Sequence, residues 1–363
     1  MSQQHYDVIV LGTGGVGSAA LYQLASRGLN VLGLDRFPPG HDRGSSHGET
    51  RMIRLSYFEH ADYVPLLRRA YNLWDELDPS LLLRSGVYYV GNEQGEVIQG
   101  VRQSATQHDL LLEEKDAPPP GGFLIPGQAT TLFEPDAGLL PVEHCIELQL
   151  AKAVALGAEH RWGDAVLGWQ ETGDSVSVTT DAGRVEADRL IIAAGSWAGE
   201  MLAELGLPLR VLRKHLHWFE TGDVHSDSGF FYALDHGQFY GFPTQDGLIK
   251  LGEHSGGEVI EDPLLASADP DPEDTARVTD FAREYLPGVG QEQRHAVCFY
   301  TMTPDGQFIV DRVPGSRRVA FAAGLSGHGF KFTPVLGEIL ADLVLEGRSH
   351  FELDFLGLNR FGS

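Results

Sequence analysis

Cysteine, lysine and long apolar runs are all scarce in this chain. Only two cysteines, Cys145 and Cys298, occur in 363 residues. That is too few for a disulfide framework, and no Cys/His grouping has zinc spacing, so no metal site is expected. No apolar run approaches the ~20 residues of a membrane helix. The opening residues run almost directly into a strand-like segment, without a charged lead and apolar export stretch. The expectations are no membrane partner and a cytoplasmic location. Positive charge is short as well: 27 Lys and Arg stand against 51 Asp and Glu, a formal net charge of −24. Such a surface opposes phosphate backbones, which argues against a nucleic-acid partner. The lysines are Lys115, Lys152, Lys214, Lys250 and Lys331 and no others. A lysine inside an apolar pattern here is therefore hard to read as routine surface decoration.

What is present is a globular composition, 42% hydrophobic and 21% charged, on a chain long enough for two domains. The strongest local signal is "DVIVLGTGGVGSAALYQLASRGLNVLGLD", Asp7 to Asp35. It reads as strand, glycine turn, helix, strand and terminal acid. Gly12 permits the tight turn, Gly14 allows backbone to approach a pyrophosphate, and Gly17 lets helix and strand pack closely. The helix N-terminus offers N–H groups and positive dipole to the phosphates. Asp35 can accept both hydroxyls of an adenosine ribose. The fingerprint does not separate NAD from FAD.

Farther on, "YVPLLRRAYNLWDEL" and "VEHCIELQLAKAVALG" read as helices, the second holding Cys145 at core spacing. "DAPPPGGFLIPG", Asp116 to Gly127, reads as a surface crossing. From Leu209 to Phe242 and beyond, "LHWFET", "GFFYAL", "QFYGFP" and "LIKLGEH" suggest an antiparallel sheet. The C-terminal part returns to strand then helix, with Thr333 placed to N-cap the helix and Pro334 in its first turn. The expected fold is α/β (α+β): a Rossmann-type nucleotide domain built from 1–80, 140–208 and 300–363. An antiparallel-sheet substrate domain from 81–139 and 209–299 is inserted in it.

Several short stretches then stand out in order: "GSSHGETRMIR" (Gly44 to Arg54), "YGFP" (Tyr240 to Pro243), "KLGEH" (Lys250 to His254), "AVCFYT" (Ala296 to Thr301) and "GLSGHGFKF" (Gly324 to Phe332). With the N-terminal fingerprint, this ordered set resembles the monomeric sarcosine oxidase and N-methyl-L-tryptophan oxidase family over essentially the whole chain. The resemblance implies a monomeric FAD enzyme that oxidises N-methyl amino acids with dioxygen, releasing formaldehyde and hydrogen peroxide. Ser46 and Glu49 depart from the family pattern, which more often has His and Asp there.

The family also implies roles. FAD would be attached through its 8α-methyl to Cys298, although periodicity alone reads that cysteine as packed core. Lys250 would lie against the flavin and assist oxygen reduction, as a fixed ammonium suits developing superoxide. On an extended strand Lys250, Gly252 and His254 share a face, with Gly252 leaving room between the other two. His254 would stand near the substrate, and Tyr240 and Tyr300 would line the space over the ring. Arg51 would lie on the flavin face, and Arg54 and Lys331 would hold the substrate carboxylate, for which a planar guanidinium fork is suited. Arg51 and Arg54 share a face if the segment after the loop is helical. His47, Gly329 and Lys331 would contact the cofactor. Two alternatives stay open: a related FAD oxidase of other secondary amines, such as glycated amino acids or pipecolate, and a non-catalytic nucleotide-binding redox sensor.

Overall fold

The computed structural model describes residues 5–115, 122–222, 226–244 and 246–362. The first half of the expected Asp116–Gly127 crossing, 116–121, lies outside the described residues. The first strand, His5–Leu11, sits inside a sheet in the order Ile309–Arg312, Val319–Ala323, Gly183–Ile192, His5–Leu11, Val31–Asp35, Glu159–Trp162. Its central ladders are parallel. That explains the unbroken apolar run of the first strand: Val8, Ile9 and Val10 are fully buried because both faces of the sheet are covered. The helices Gly15–Ser26, Val142–Ala155 and Thr333–Glu346 pack together against one face. A second apolar cluster, including Ile9, Leu32 and Ile192, fills the other. Cys145 lies fully buried in the helical layer, as its spacing implies.

The second sheet runs Glu258–Ile260, Arg210–Glu220, Leu248–Glu253, Gly237–Pro243, Gly229–Leu234, Val87–Gly91, Thr130–Glu134, Glu113–Glu114. Glu292–Met302 pairs along Arg210–Glu220. Residue 300, an expected domain boundary, falls inside that last strand. The hairpin-linked strands are antiparallel as expected, but Gly229–Leu234 joins Val87–Gly91 in parallel. A long excursion separates those two strands, so no hairpin dictates their direction. The helix Pro272–Tyr285 covers one face through Phe281, stacked on Phe239 with centroids 4.5 Å apart.

Between the sheets lies a small antiparallel pair, Thr50–Ile53 with Gly138–Pro141. Arg51 is therefore on a strand and Arg54 just past it, which corrects the helical reading of that segment. The C-terminal helix brings a second correction. Thr333 is its first residue, not its cap; a 3-10 turn, Phe330–Phe332, precedes it, and the Thr333 hydroxyl has no partner.

Candidate active site

One cleft runs from the glycine turn to the second sheet. Gly12, Thr13, Gly14 and Asp35 line one end; Arg51, Arg54, Tyr240, His254, Tyr300 and Lys331 line the other. At the first end Gly12 and Gly17 are required by geometry. Gly12 has φ +79°, and a Cβ on Gly17 would come within 1.7 Å of the Gly12 carbonyl oxygen. A Cβ on Gly14 would meet nothing within 4 Å, so internal packing leaves that position open toward the cleft. The helix Gly15–Ser26 starts there without a side-chain cap, leaving N–H groups for a ligand. Asp35 ends the second strand. Its carboxylate accepts the Thr13 N–H at 2.6 Å and the Phe37 N–H at 2.9 Å, which aims it while leaving further lone pairs.

At the other end, the loop before the Thr50–Ile53 strand is pinned from two sides. Glu143 accepts the Gly48 N–H at 2.6 Å, and Lys250 Nζ donates to the Gly48 and Thr50 carbonyls at 2.6 and 2.8 Å. Glu49, at φ +70°, reaches the second sheet: its carboxylate accepts from Trp218 Nε1 at 2.9 Å and Arg294 at 2.5 Å. The longer acid thus ties the loop to strands on which it does not lie. His47 is buried beside Arg51 and Lys250. Burial and those cations depress its imidazole to about 4, and its Nε2 has no partner. Arg51 donates to the carbonyls of Ser45 and Thr50, both at 2.9 Å.

Lys250 is completely buried, 5.7 Å from the Trp218 ring centroid and 5.6 Å from that of Phe242. Burial, then Arg51, pulls its ammonium well below the usual lysine range. It stands behind the cleft wall. Nor does Gly252 leave a gap between Lys250 and His254: a Cβ there would come within 2.6 Å of the Tyr240 hydroxyl, so the glycine makes room for that phenol. His254 lies just beyond the strand end, its Nδ1 3.4 Å from the Tyr300 hydroxyl. Burial depresses it to about 3, so it is neutral at ordinary pH.

Arg54 is buried between the Tyr57 and Phe58 rings, and its Nη2 donates to both carboxylate oxygens of Glu59, at 2.6 and 2.7 Å. Burial alone would raise the Glu59 carboxyl; Arg54, His328 and Lys331 overcome it and hold it near 2. Lys331 Nζ donates to the His328 carbonyl at 2.8 Å, and burial followed by Arg54 lowers its ammonium to about 7. Gly329 lines the same wall, where a Cβ would come within 2.5 Å of the Leu325 side chain. Cys298 is 1% exposed and stands behind the wall formed by its neighbours Phe299, Tyr300 and Thr301. It packs with Tyr300, Leu216 and Trp218.

Compared with known proteins, residues 7–343 match the family described as FAD dependent oxidoreductase. The chain belongs to that family. It is 38% identical to the N-methyl-L-tryptophan oxidase of Escherichia coli O9:H4 (strain HS), covering 98% of this chain and 99% of that one. It is 36% identical to the monomeric sarcosine oxidase of Bacillus sp. (strain B-0618), covering 98% and 96%. Among solved structures it is similar to NikD, an amino acid oxidase essential for nikkomycin biosynthesis, with TM-score 0.88, 25% identity and coverage of 98% and 97%. The family resemblance carried by the short motifs thus holds over the whole chain.

This FAD-dependent oxidoreductase has a cleft whose chemistry fits the cofactor. Several buried polar atoms of cleft-lining residues have no protein partner: Trp197 Nε1, Thr301 Oγ1 and Thr333 Oγ1, with His47 Nε2 close behind. Buried polar groups are rarely left unpaired, and a flavin nucleotide is rich in donors and acceptors to meet them. The residues that sequence reasoning missed are Glu59, whose carboxylate accepts from Arg54 Nη2, and Glu143, which fixes the loop. Glu59 lies in "SYFEHADY", which reads as an ordinary polar loop. Among the described residues no helix is long and apolar enough to cross a membrane.

Proposed function

We propose that this enzyme oxidises N-methyl amino acids, with FAD attached through Cys298, and that an aromatic N-methyl amino acid is preferred over sarcosine. The observation that carries the reading is a single cleft joining the glycine turn to two buried basic residues, Arg54 and Lys331, that line its other end. The two curated relatives named above act, by their names, on N-methyl-L-tryptophan and sarcosine. Phe231, Tyr240, Phe242 and Tyr300 give the cleft aromatic walls that suit an indole.

Arg54 and Lys331 would orient the substrate by its carboxylate. The incoming carboxylate shares the guanidinium with Glu59, which accepts from Nη2 alone. His254, neutral, can accept a hydrogen bond from the substrate amine. Neither His254 nor Glu59 is a strong base at these pKa values, which favours removal of hydrogen from the N-methyl carbon as a hydride equivalent. FAD, when bound, supplies the hydride acceptor and the route to dioxygen. Lys250 would hold positive charge where the oxygen becomes superoxide. The imine then hydrolyses to formaldehyde and the primary amino acid.

Denaturation in acid is the test of attachment. Wild-type protein should keep its yellow colour in the precipitate, and Cys298→Ala should release all its flavin into the supernatant. Intact FAD released from wild type would reject the tether.

The carboxylate clamp carries a pH signature. In the free enzyme Lys331 loses its proton as pH rises through about 7, whereas Arg54 stays charged. Affinity for an indole carboxylate lacking the amine should therefore fall across that range and level off above it. Flavin spectral titrations at several pH values would measure this. A Lys331→Met variant should give a flat profile, and a flat wild-type profile would remove Lys331 from the clamp.

A further inference from the structure

We propose that Lys214 is a positioning residue for Cys298: its ammonium, held across a strand pair, favours the thiolate that bonds to the flavin. This rests on the covalent reading above. Lys214 stands directly opposite Cys298 in the antiparallel ladder between Arg210–Glu220 and Glu292–Met302, so the two side chains leave the same face of the sheet. Lys214 is 2% exposed, and its Nζ lies 5.7 Å from the Tyr300 ring centroid. Its hydrogen-bond partners among the described residues are two neutral carbonyls, Ser255 at 2.6 Å and Gly256 at 3.2 Å. A Cβ on Gly257, at φ +114°, would come within 2.9 Å of the Lys214 Cδ, so a glycine is what lets the stem pass. The lysine is built into this position, yet it is not part of the cleft wall and has no place in the steps above.

The charges around the sulfur explain what it would do. Burial pushes the Cys298 thiol up. Arg51 from the short strand, Lys250 from Leu248–Glu253 and Lys214 from Arg210–Glu220 oppose that push, and Asp274 of the covering helix reinforces it. The phenols of Tyr240 and Tyr300 stand beside the same sulfur. Burial also lowers Lys214 itself, with Asp274 and Glu253 pulling it back up. Arg51 and Lys250 act on the thiol more strongly than Lys214 does, but both also hold the loop, whereas Lys214 faces the cysteine across the ladder. A thiolate is the competent nucleophile. In the attachment step the S–H bond and one C–H bond of the flavin 8-methyl break and an S–C bond forms. Two protons and two electrons enter the ring, and dioxygen removes them as hydrogen peroxide.

The test uses full-length Cys145→Ala protein, in which Cys298 is the sole thiol, purified flavin-free from a riboflavin-starved host. The thiolate is titrated by its ultraviolet absorbance, and covalent incorporation is timed after FAD is added. Lys214→Met should raise the thiol titration by about one pH unit and slow incorporation at neutral pH about tenfold. Lys214→Gln, which keeps a donor without the charge, should do the same, and Lys214→Arg should restore both. An unchanged titration in both uncharged variants would overturn the proposal. If FAD bound the parent only reversibly, the covalent reading would fail, and the thiolate titration would still decide whether Lys214 acts on Cys298.

Discussion

Lys250→Met slows reoxidation of the reduced flavin by dioxygen on the order of 10²–10³-fold, the effect of losing one preorganised charge from a transition state. Anaerobic reduction by substrate stays much closer to the wild-type rate. Both expectations follow from where the ammonium sits. It is fully buried, held by the Gly48 and Thr50 carbonyls, and has no carboxylate partner among the described residues. Burial lowers this ammonium, and in such low dielectric a neighbouring anion, as it forms, strongly favours the charged form and is stabilised by it. Hydride transfer creates no superoxide, so it draws little on the same field. Methionine keeps the volume and removes the charge; the Gly48 carbonyl still accepts the Thr50 N–H and the Thr50 carbonyl still accepts from Arg51, so each loses one of two donors rather than its only one. A modest loss of stability should therefore accompany the kinetic change. Stopped-flow reduction and reoxidation measured on one sample separate the half-reactions. Reoxidation at the wild-type rate would remove Lys250 from the oxygen step.

Arg54→Met has the other large effect, and it appears in two observables. Charge-assisted hydrogen bonds contribute about 1.5–3 kcal/mol each, so loss of the fork should raise KM on the order of 10²–10³-fold. The same change strands Glu59 in a buried site, and breaking one side of a buried pair costs about 3–5 kcal/mol of stability. Arg54→Met/Glu59→Met should recover most of that stability while KM stays high. Recovery of KM along with stability would mean that Arg54 is structural and holds no substrate. The pair has its own pH dependence. Glu59 is held near 2 in the folded protein, below its unfolded value of about 4.3. Its contribution is full above the unfolded value and is lost as pH falls toward 2. Wild type should thus lose stability faster than the double variant across that acidic window.

These residues also mark where sequence could and could not reach. The glycine turn was legible because its causes are local: a positive φ at Gly12 and a contact between Gly17 and Gly12 five residues away. The buried strands around Val8 and Ile191 were legible for the same kind of reason, as apolar runs covered on both faces. Arg51 shows the limit. Its strand exists because Gly138–Pro141 pairs with it, and nothing within the segment announces a partner that far along the chain. The parallel ladder between Gly229–Leu234 and Val87–Gly91 has the same origin. Thr333 looked like a cap, but the turn ahead of it bonds the Phe332 N–H to the Gly329 carbonyl, and the helix continues from that turn. Glu59 was illegible because its importance is its proximity to Arg54, reached through a loop whose residues look solvent-facing. The helix Pro272–Tyr285 was not read from the sequence, although its start carries a local signal: the Asp271 side chain accepts the Glu273 N–H at 2.9 Å, with Pro272 in the first turn.

The central claim, oxidation at an N-methyl carbon, is tested most directly by product stoichiometry with N-methyl-L-tryptophan in air-saturated buffer. The account predicts one formaldehyde and one hydrogen peroxide per dioxygen consumed, with a higher kcat/KM than for sarcosine. A kcat/KM clearly in favour of sarcosine would reject only the aromatic preference. Peroxide without formaldehyde, from either substrate, would place the oxidation at another carbon and contradict the account.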